Sequence, residues 1–186
     1  IRGGLAHSNI VASMFFGGIS GSAVADASAI GTIMVPGMVQ AGMVQAGYDK
    51  GFSAALTAAS STVGPIIPPS IFMVIMGVTT GLSIGALFAA GIIPGLLIGF
   101  SMMGLSYYLA IRHDYPRVQE PFTLSYFWAN FKAAGPALVA PLIILGGILG
   151  GIFTPTEAAA VAVLYALFLG TAVYRELDWP ALKSVF

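Results

Sequence analysis

Cysteine is absent from this sequence and charge is scarce. Without cysteine there are no disulfides, no thiolate metal sites and no thiol nucleophile, and the redox compartment leaves no mark on the composition. Charged residues make up 8% of the 186 positions, against about 25% in soluble domains. The net charge is zero, which removes the electrostatic case for nucleic acid as a partner. Only two histidines are present. What fills the chain instead is apolar: 58% of the residues are hydrophobic, more than a soluble fold of this length can hide in its interior. The expected solvent is therefore the lipid bilayer. Residues 1–10 carry no basic stretch followed by a cleavage site, so no signal peptide is expected. A chain opening on Ile1 and closing on Phe186 reads as an internal piece of a longer protein.

Long charge-free runs locate the membrane segments. Leu82 to Ile111 has no charged residue and exceeds the span of about 20 residues that a bilayer requires. Ala133 to Phe153 and Ala158 to Tyr174 are two further spans. The first 80 residues are organised differently. Ile10 to Val44 contains only Asp26 as a charge and is divided at Ser20-Gly21-Ser22. Its two legs, roughly Ser8 to Ile19 and Ala23 to Val39, would be about 18 to 25 Å long as helices. That falls short of the roughly 30 Å hydrocarbon core, and two short legs with a small polar tip predict a re-entrant hairpin. Gly51 to Met76 is long enough to cross but contains Thr62-Val-Gly-Pro-Ile-Ile-Pro-Pro-Ser70. Three prolines and a glycine cannot continue a regular helix, so two half-helices with a break at mid-membrane depth are expected. Such a break is tolerated only inside protein or along a cavity.

Positive charge tests this topology. If the first segment enters and leaves on one side, Arg2 and Lys50 share that side. The broken helix then crosses to an uncharged loop at Gly77 to Gly81, and the 82–111 span returns. Arg112, Arg117, Lys132, Arg175 and Lys183 rejoin Lys50, which places all seven Lys and Arg residues on one face, expected to be cytoplasmic. Between spans, Leu124, Phe127, Trp128 and Phe131 fall at i, i+3, i+4 and i+7, an apolar stripe expected on a short interfacial connector helix. Met38-Val-Gln-Ala-Gly42 is repeated at once as Met43-Val-Gln-Ala-Gly47, a repeat too short for a repeat architecture.

The constellation with chemical content is Ser20-Gly21-Ser22 and Asp26, set beside Ser60-Ser61-Thr62 and Gly64-Pro65. A carboxylate inside a membrane hairpin is costly unless paired, solvated or protonated, and every Lys and Arg maps to the rim. A bound monovalent cation would supply the missing charge. It would be held by hydroxyls and by carbonyls freed where the helix breaks. The competing structural reading makes Asp26 a helix cap and the Ser and Gly residues a device for close helix packing. Thr154-Pro155-Thr156-Glu157 reads as a capping box with proline at N1, not as a second carboxylate site. Gly18-Ile19-Ser20-Gly21 matches the short G-x-S-G pattern of rhomboid-type intramembrane serine proteases. A serine nucleophile needs a base, and His7 and His113 both map near the rim. Gly47 to Gly51 is a turn without phosphate-loop spacing.

Four stretches together carry a family resemblance: Gly17-Gly-Ile-Ser-Gly-Ser-Ala-Val-Ala-Asp-Ala-Ser28, Tyr48-Asp-Lys-Gly-Phe52, Ala58-Ala-Ser-Ser-Thr-Val-Gly-Pro-Ile-Ile-Pro-Pro-Ser70 and Gly151-Ile-Phe-Thr-Pro-Thr-Glu-Ala-Ala-Ala160. In this order they resemble the large membrane subunit of tripartite ATP-independent periplasmic (TRAP) transporters, DctM-like permeases. The resemblance covers nearly the whole chain. It implies a Na⁺-driven importer of organic acids, such as C4-dicarboxylates or sialic-acid-like carboxylates, in the bacterial inner membrane. It further implies a periplasmic substrate-binding protein and a small membrane subunit as partners, membrane lipid as the surroundings, and an elevator mechanism. The serine-rich tip and Asp26 match the family's cytoplasmic-side hairpin, and Ser60 to Ser70 matches the broken helix facing it, where the family binds Na⁺. The Na⁺ ligands would then come from Ser20, Asp26, Ser61 and Gly64. Relative to the family pattern, the leading scaffold helices and the second hairpin with its own broken helix are missing, and the five-residue repeat lengthens the exit from the hairpin.

The expected architecture is an all-α polytopic membrane protein, an incomplete elevator fold of the ion-transporter-superfamily type. Residues 1–47 form the re-entrant hairpin, 48–81 the broken helix, 82–111 a span and 112–132 a connector. Residues 133–186 are two spans beginning a second repeat. The expected site residues are Ser20, Gly21, Ser22, Asp26, Ser60, Ser61, Thr62, Gly64 and Pro65, with no cofactor beyond the coupling ion and no enzyme activity. The alternatives from other classes are an intramembrane serine protease and a non-catalytic membrane scaffold subunit.

Overall fold

The computed structural model describes residues 4–40, 50–113, 123–175 and 177. Arg2, the repeat from Met43 onward, the 47–49 turn, Arg117 and Lys183 lie outside the described residues. Every regular element among them is helical: α1 (Gly4–Ser20), α2 (Ala23–Gln40), α3 (Lys50–Ser61), α4 (Ile71–Thr80), α5 (Ile84–Arg112), α6 (Leu124–Leu149) and α7 (Pro155–Phe168), the last running into a π-helical turn, Leu169–Val173. The chain divides into two compact units, residues 1–120 and 121–186.

In the first unit α1 and α2 are joined by Gly21 and Ser22 alone. Side-chain pairs give the direction of each helix. Asn9 bonds Thr57 and Ser13 bonds Ser60, while a methyl group on Gly17 would strike Gly64. Numbers rise together along both helices, so α1 and α3 run parallel. Asp26 lies against Gly17 and Gly64, and Gly31 lies beside Thr57. Numbers on α2 therefore rise as those on α1 and α3 fall, and α2 runs back against both. This is the hairpin geometry expected from the Ser20-Gly21-Ser22 interruption. The legs are longer than expected. α1 begins at Gly4, and with 17 and 18 residues the two helices reach about 25 to 27 Å.

The broken helix has the expected form. α3 stops at Ser61, the chain runs through turns from Thr62 to Pro69, and α4 starts at Ile71. Ser70 is the N-cap of α4: its hydroxyl accepts the Met73 amide at 3.4 Å and donates to the Pro65 carbonyl at 2.6 Å. α4 continues to Thr80 and ends at left-handed Gly81, so the loop expected at 77–81 is shorter. Within α4 position 77 is glycine, and the Ile84 side chain of α5 lies 2.6 Å from where its Cβ would be. α5 packs against α1 and α4 through glycines at i, i+4 and i+8. The faces of Gly91, Gly95 and Gly99 receive the side chains of Met73, Ile67 and Met14.

In the second unit the apolar stripe Leu124 to Phe131 is not a separate connector helix. It forms the first two turns of α6, which continues through Pro136 and Pro141 to Leu149. Phe127, Trp128 and Phe131 pack ring against ring there, with centroids 5.6 to 6.0 Å apart. α7 folds back on α6, and the Tyr165 and Tyr174 hydroxyls donate to the Pro136 and Ala133 carbonyls, each at 2.8 Å. Thr154 and Glu157 make the capping box. The Glu157 carboxylate accepts the Thr154 amide at 2.8 Å, and the Thr154 hydroxyl accepts the Glu157 amide at 3.3 Å. Among the described residues three helices are long and apolar enough to cross a membrane, Ile84–Arg112, Phe127–Leu149 and Pro155–Val173. The outward faces of these spans are apolar, as lipid-facing surfaces are, and the protein is an all-α polytopic membrane protein.

Candidate functional site

The site forms where α1, α2 and the break meet. Gly17 and Gly64 cross backbone to backbone: a Cβ on Gly17 would lie 2.6 Å from the Gly64 Cα. Glycine at 17 permits this approach, and a Cβ on Gly64 would be tight, 3.3 Å from the Gly17 Cα. The crossing leaves room for the Asp26 carboxylate, whose Oδ2 would lie 3.1 Å from a Cβ on either glycine. Asp26 is fully buried. Its Oδ1 accepts the Ser20 hydroxyl at 3.1 Å, and no hydrogen-bond donor among the described residues reaches its Oδ2.

Asp26 is not a helix cap. α2 begins at Ala23, and the cap is Ser22, whose hydroxyl accepts the Ala25 amide at 3.4 Å. The Asp26 amide bonds the Ser22 carbonyl at 3.0 Å, inside the helix. The carboxylate is therefore held at the crossing for a reason other than closing a helix end. The tip itself is tight. Gly21 has φ +61, and a Cβ there would meet the Ile71 amide nitrogen at 2.9 Å and the Pro69 carbonyl at 3.0 Å. Both the conformation and the contact require glycine, and together they seat the tip on the start of α4.

On the break, Pro65 has no amide to offer the Ser61 carbonyl. That carbonyl accepts the Gly64 amide at 3.1 Å instead, and it and Asp26 Oδ2 lie 3.3 and 3.1 Å from where a Gly64 Cβ would be. The structure thus brings together Ser20, Gly21, Ser22, Asp26, Ser61 and Gly64. It sets three expected residues aside. The Thr62 side chain is exposed and bonds the Ala59 carbonyl at 2.7 Å. The Ser60 hydroxyl turns to Ser13. The Pro65 carbonyl is taken by Ser70. Gly17 was not among the expected ligands, and its signal was the i, i+4, i+8 series Asn9, Ser13, Gly17 along one face of α1.

One carboxylate with an open oxygen, flanked by a backbone carbonyl and a hydroxyl, is a donor set for a hard monovalent cation. Among the described residues no three His, Cys, Asp or Glu side chains converge on a transition-metal site.

The sequence profile described as "Tripartite ATP-independent periplasmic transporter, DctM component" matches residues 1–186. The chain belongs to the DctM family. Similar proteins include the sialic acid TRAP transporter large permease protein SiaM of Vibrio cholerae, 48% identical over 177 residues, covering 95% of this chain and 40% of SiaM. The C4-dicarboxylate TRAP transporter large permease protein DctM of the same organism is 44% identical over 180 residues, covering 95% and 38%. The 2,3-diketo-L-gulonate TRAP transporter large permease protein YiaN of Escherichia coli is 43% identical over 183 residues, covering 98% and 42%. The chain spans about two fifths of the length of these curated relatives.

These DctM relatives are transporter permeases and not enzymes, and the local geometry agrees. The single Ser20 hydroxyl proton is directed to Asp26 at 3.1 Å, with the Ser22 carbonyl at 3.4 Å as the alternative acceptor. His7 lies 13 residues earlier on the same helix, about 20 Å away, with its ring edge-on to Tyr107. The His113 ring is within hydrogen-bonding distance of the Leu109 carbonyl at the end of α5. Neither histidine is placed to serve as a base for Ser20.

Proposed function

We propose that this chain is the ion-binding part of a Na⁺-coupled importer of organic acids. The observation that supports it is the buried Asp26 oxygen, open to a ligand, at a glycine crossing beside the Ser61 carbonyl. A buried carboxylate without a cationic partner is expensive in a membrane. Na⁺ binding would offset that cost, so the site would fill only when the ion is present, which is the basis of coupling. In this reading Ser20 holds the carboxylate, Asp26 supplies the charge, and the Ser61 carbonyl and the Gly64 backbone line the ion's place.

The substrate reading follows the relatives. Sialic acid, C4-dicarboxylates and diketogulonate are organic acids, and the same class is proposed here. The start of α2 at the hairpin tip and the start of α4 are two helix N-termini, an environment that favours an anionic group. Delivery by a periplasmic substrate-binding protein, a small membrane subunit as partner, residence in the bacterial inner membrane and an elevator movement of the hairpin and broken helix complete the proposal. The parallel course of α1 and α3 accords with a re-entrant hairpin, since both helices would then start from the cytoplasmic face.

The test is uptake by the full-length complex in proteoliposomes, with a panel of organic acids each presented on its binding protein. An inward Na⁺ gradient should drive accumulation of at least one acid, and an equal K⁺ gradient should not. Equal uptake in both gradients would contradict the coupling.

A further inference from the structure

A row of buried polar residues lies between α1 and α3 and is not accounted for by the cation site. Asn9, Ser13, Ser53, Thr57, Ser60 and Ser61 are all buried. The Asn9 amide donates to the Thr57 hydroxyl at 2.6 Å. Thr57 in turn donates to the Ser53 carbonyl at 2.9 Å. The Ser60 and Ser61 hydroxyls donate to the Thr57 carbonyl at 3.1 and 2.8 Å. The Ser13 and Ser60 hydroxyls share a hydrogen bond at 2.8 Å in which either can donate. Side-chain hydrogen bonds thus join α1 to α3 at two successive levels. One further turn along, at the third level, the polar pair is replaced by Gly17 against Gly64.

This order has a consequence. Apolar pairs would let two parallel helices slide or separate with little penalty, since lipid tails satisfy apolar surface equally well. Directional bonds at levels 9:57 and 13:60 fix both the spacing and the register of α1 on α3. The third level inherits that spacing, and there it sets how far Gly17 stands from Gly64 and therefore how closely Asp26 approaches the Ser61 carbonyl. We propose that Asn9 and Ser13, with Thr57 and Ser60, are positioning residues for cation binding: they do not touch the ion, but they set the width of its pocket. The proposal rests on the cation reading of Asp26.

Ser13→Ala deletes the second bond and adds no bulk. In the full-length complex, Na⁺-driven uptake should show a half-saturating Na⁺ concentration raised on the order of three- to tenfold. The maximal rate at saturating Na⁺ should stay within about twofold, because the loosened pocket still fills when the ion is abundant. A residue needed only for folding would instead lower the amount of active transporter and leave the half-saturation point in place. Ser13→Cys combined with Ser60→Cys is the second variant, as hydroxyl oxygens 2.8 Å apart put the two side chains within reach of a disulfide of about 2 Å, whose formation is checked by thiol titration. Oxidised, it should keep the wild-type half-saturation, and reduction should raise it. The same Na⁺ curve before and after reduction would overturn the proposal, and this arm decides the matter if Ser13→Ala fails to accumulate. Asp26→Asn runs alongside. A shifted Asp26→Asn curve with an unmoved Ser13→Ala curve would overturn the positioning role and leave the cation site standing. An unmoved Asp26→Asn curve would overturn both.

Discussion

Gly17→Ala is the smallest change that attacks the crossing. The new methyl would lie 2.6 Å from the Gly64 Cα and 3.1 Å from Asp26 Oδ2. Carbon atoms in contact sit about 3.5 to 4.0 Å apart, so α1 and the break must separate by roughly 1 Å. The nearer obstacle, the Gly64 Cα, is backbone, so the backbone itself has to move. Overpacking of this kind costs about 1–3 kcal/mol. The bonds from Asn9 to Thr57 and from Ser13 to Ser60, now 2.6 and 2.8 Å, would be stretched by the same movement, which removes about 1–2 kcal/mol more for the pair. A total of ~2–5 kcal/mol is a large part of a typical domain's stability. Gly18→Ala is the control. It is also buried, but its methyl would meet the Pro68 carbonyl at 3.6 Å and Ile67 at 3.8 Å, which is ordinary contact. Alanine also favours the helix by roughly 0.5–1 kcal/mol over glycine. The assay is thermal unfolding of the purified full-length complex, followed by Na⁺-dependent uptake. Gly17→Ala should lower the unfolding midpoint and weaken the Na⁺ response, whereas Gly18→Ala should leave both near wild type. Equal behaviour of the two variants would refute the crossing as the organising feature.

Single cysteines near Arg2, Lys50, Arg112 and Arg175 should all label from the cytoplasm and one at Thr80 from the periplasm; opposite labelling near Arg2 and Lys50 would remove the re-entrant hairpin. Ser20→Ala should weaken Na⁺-dependent uptake by loss of its bond to Asp26, and no serine-directed phosphonate should label Ser20; covalent labelling would instead favour the protease. Tyr165→Phe deletes the hydroxyl that donates to the Pro136 carbonyl and should destabilise the α6–α7 pair by about 0.5–1.5 kcal/mol, read from the unfolding midpoint. No change there would mean that the carbonyl is satisfied within α6.

Much of the fold was legible because proline, glycine and missing charge act locally. The interruption at Ser20-Gly21-Ser22, the break from Thr62 to Ser70 and the capping box at Thr154 all follow from backbone rules that need no tertiary information. The start of α6 was not legible. The stripe from Leu124 to Phe131 has the same 3.6 period whether the helix ends there or continues, and only the fold shows it running on through Pro136. At the site, residue type was informative and orientation was not. Ser60, Ser61 and Thr62 are consecutive on a helix, so about 100° separates each from the next, and only contact with α1 decides which of them face inward. The role of Gly17 was hidden for a similar reason: a glycine in a glycine-rich helix gains meaning only from the Gly64 backbone opposite it. The seam of Asn9 and Ser13 did leave a trace, as polar residues four apart on an apolar helix.

The central claim is that Asp26 neutralises a bound Na⁺, and Asp26→Asn tests it most directly. Asparagine keeps the shape and removes the charge, and the transporter should still fold because an unpaired buried charge becomes a neutral amide. In the full-length complex, uptake measured against Na⁺ concentration should show the half-saturating Na⁺ raised by roughly 5- to 150-fold, the equivalent of about 1–3 kcal/mol of ligand interaction. A normally accumulating Asp26→Asn transporter with the wild-type Na⁺ curve would contradict the account.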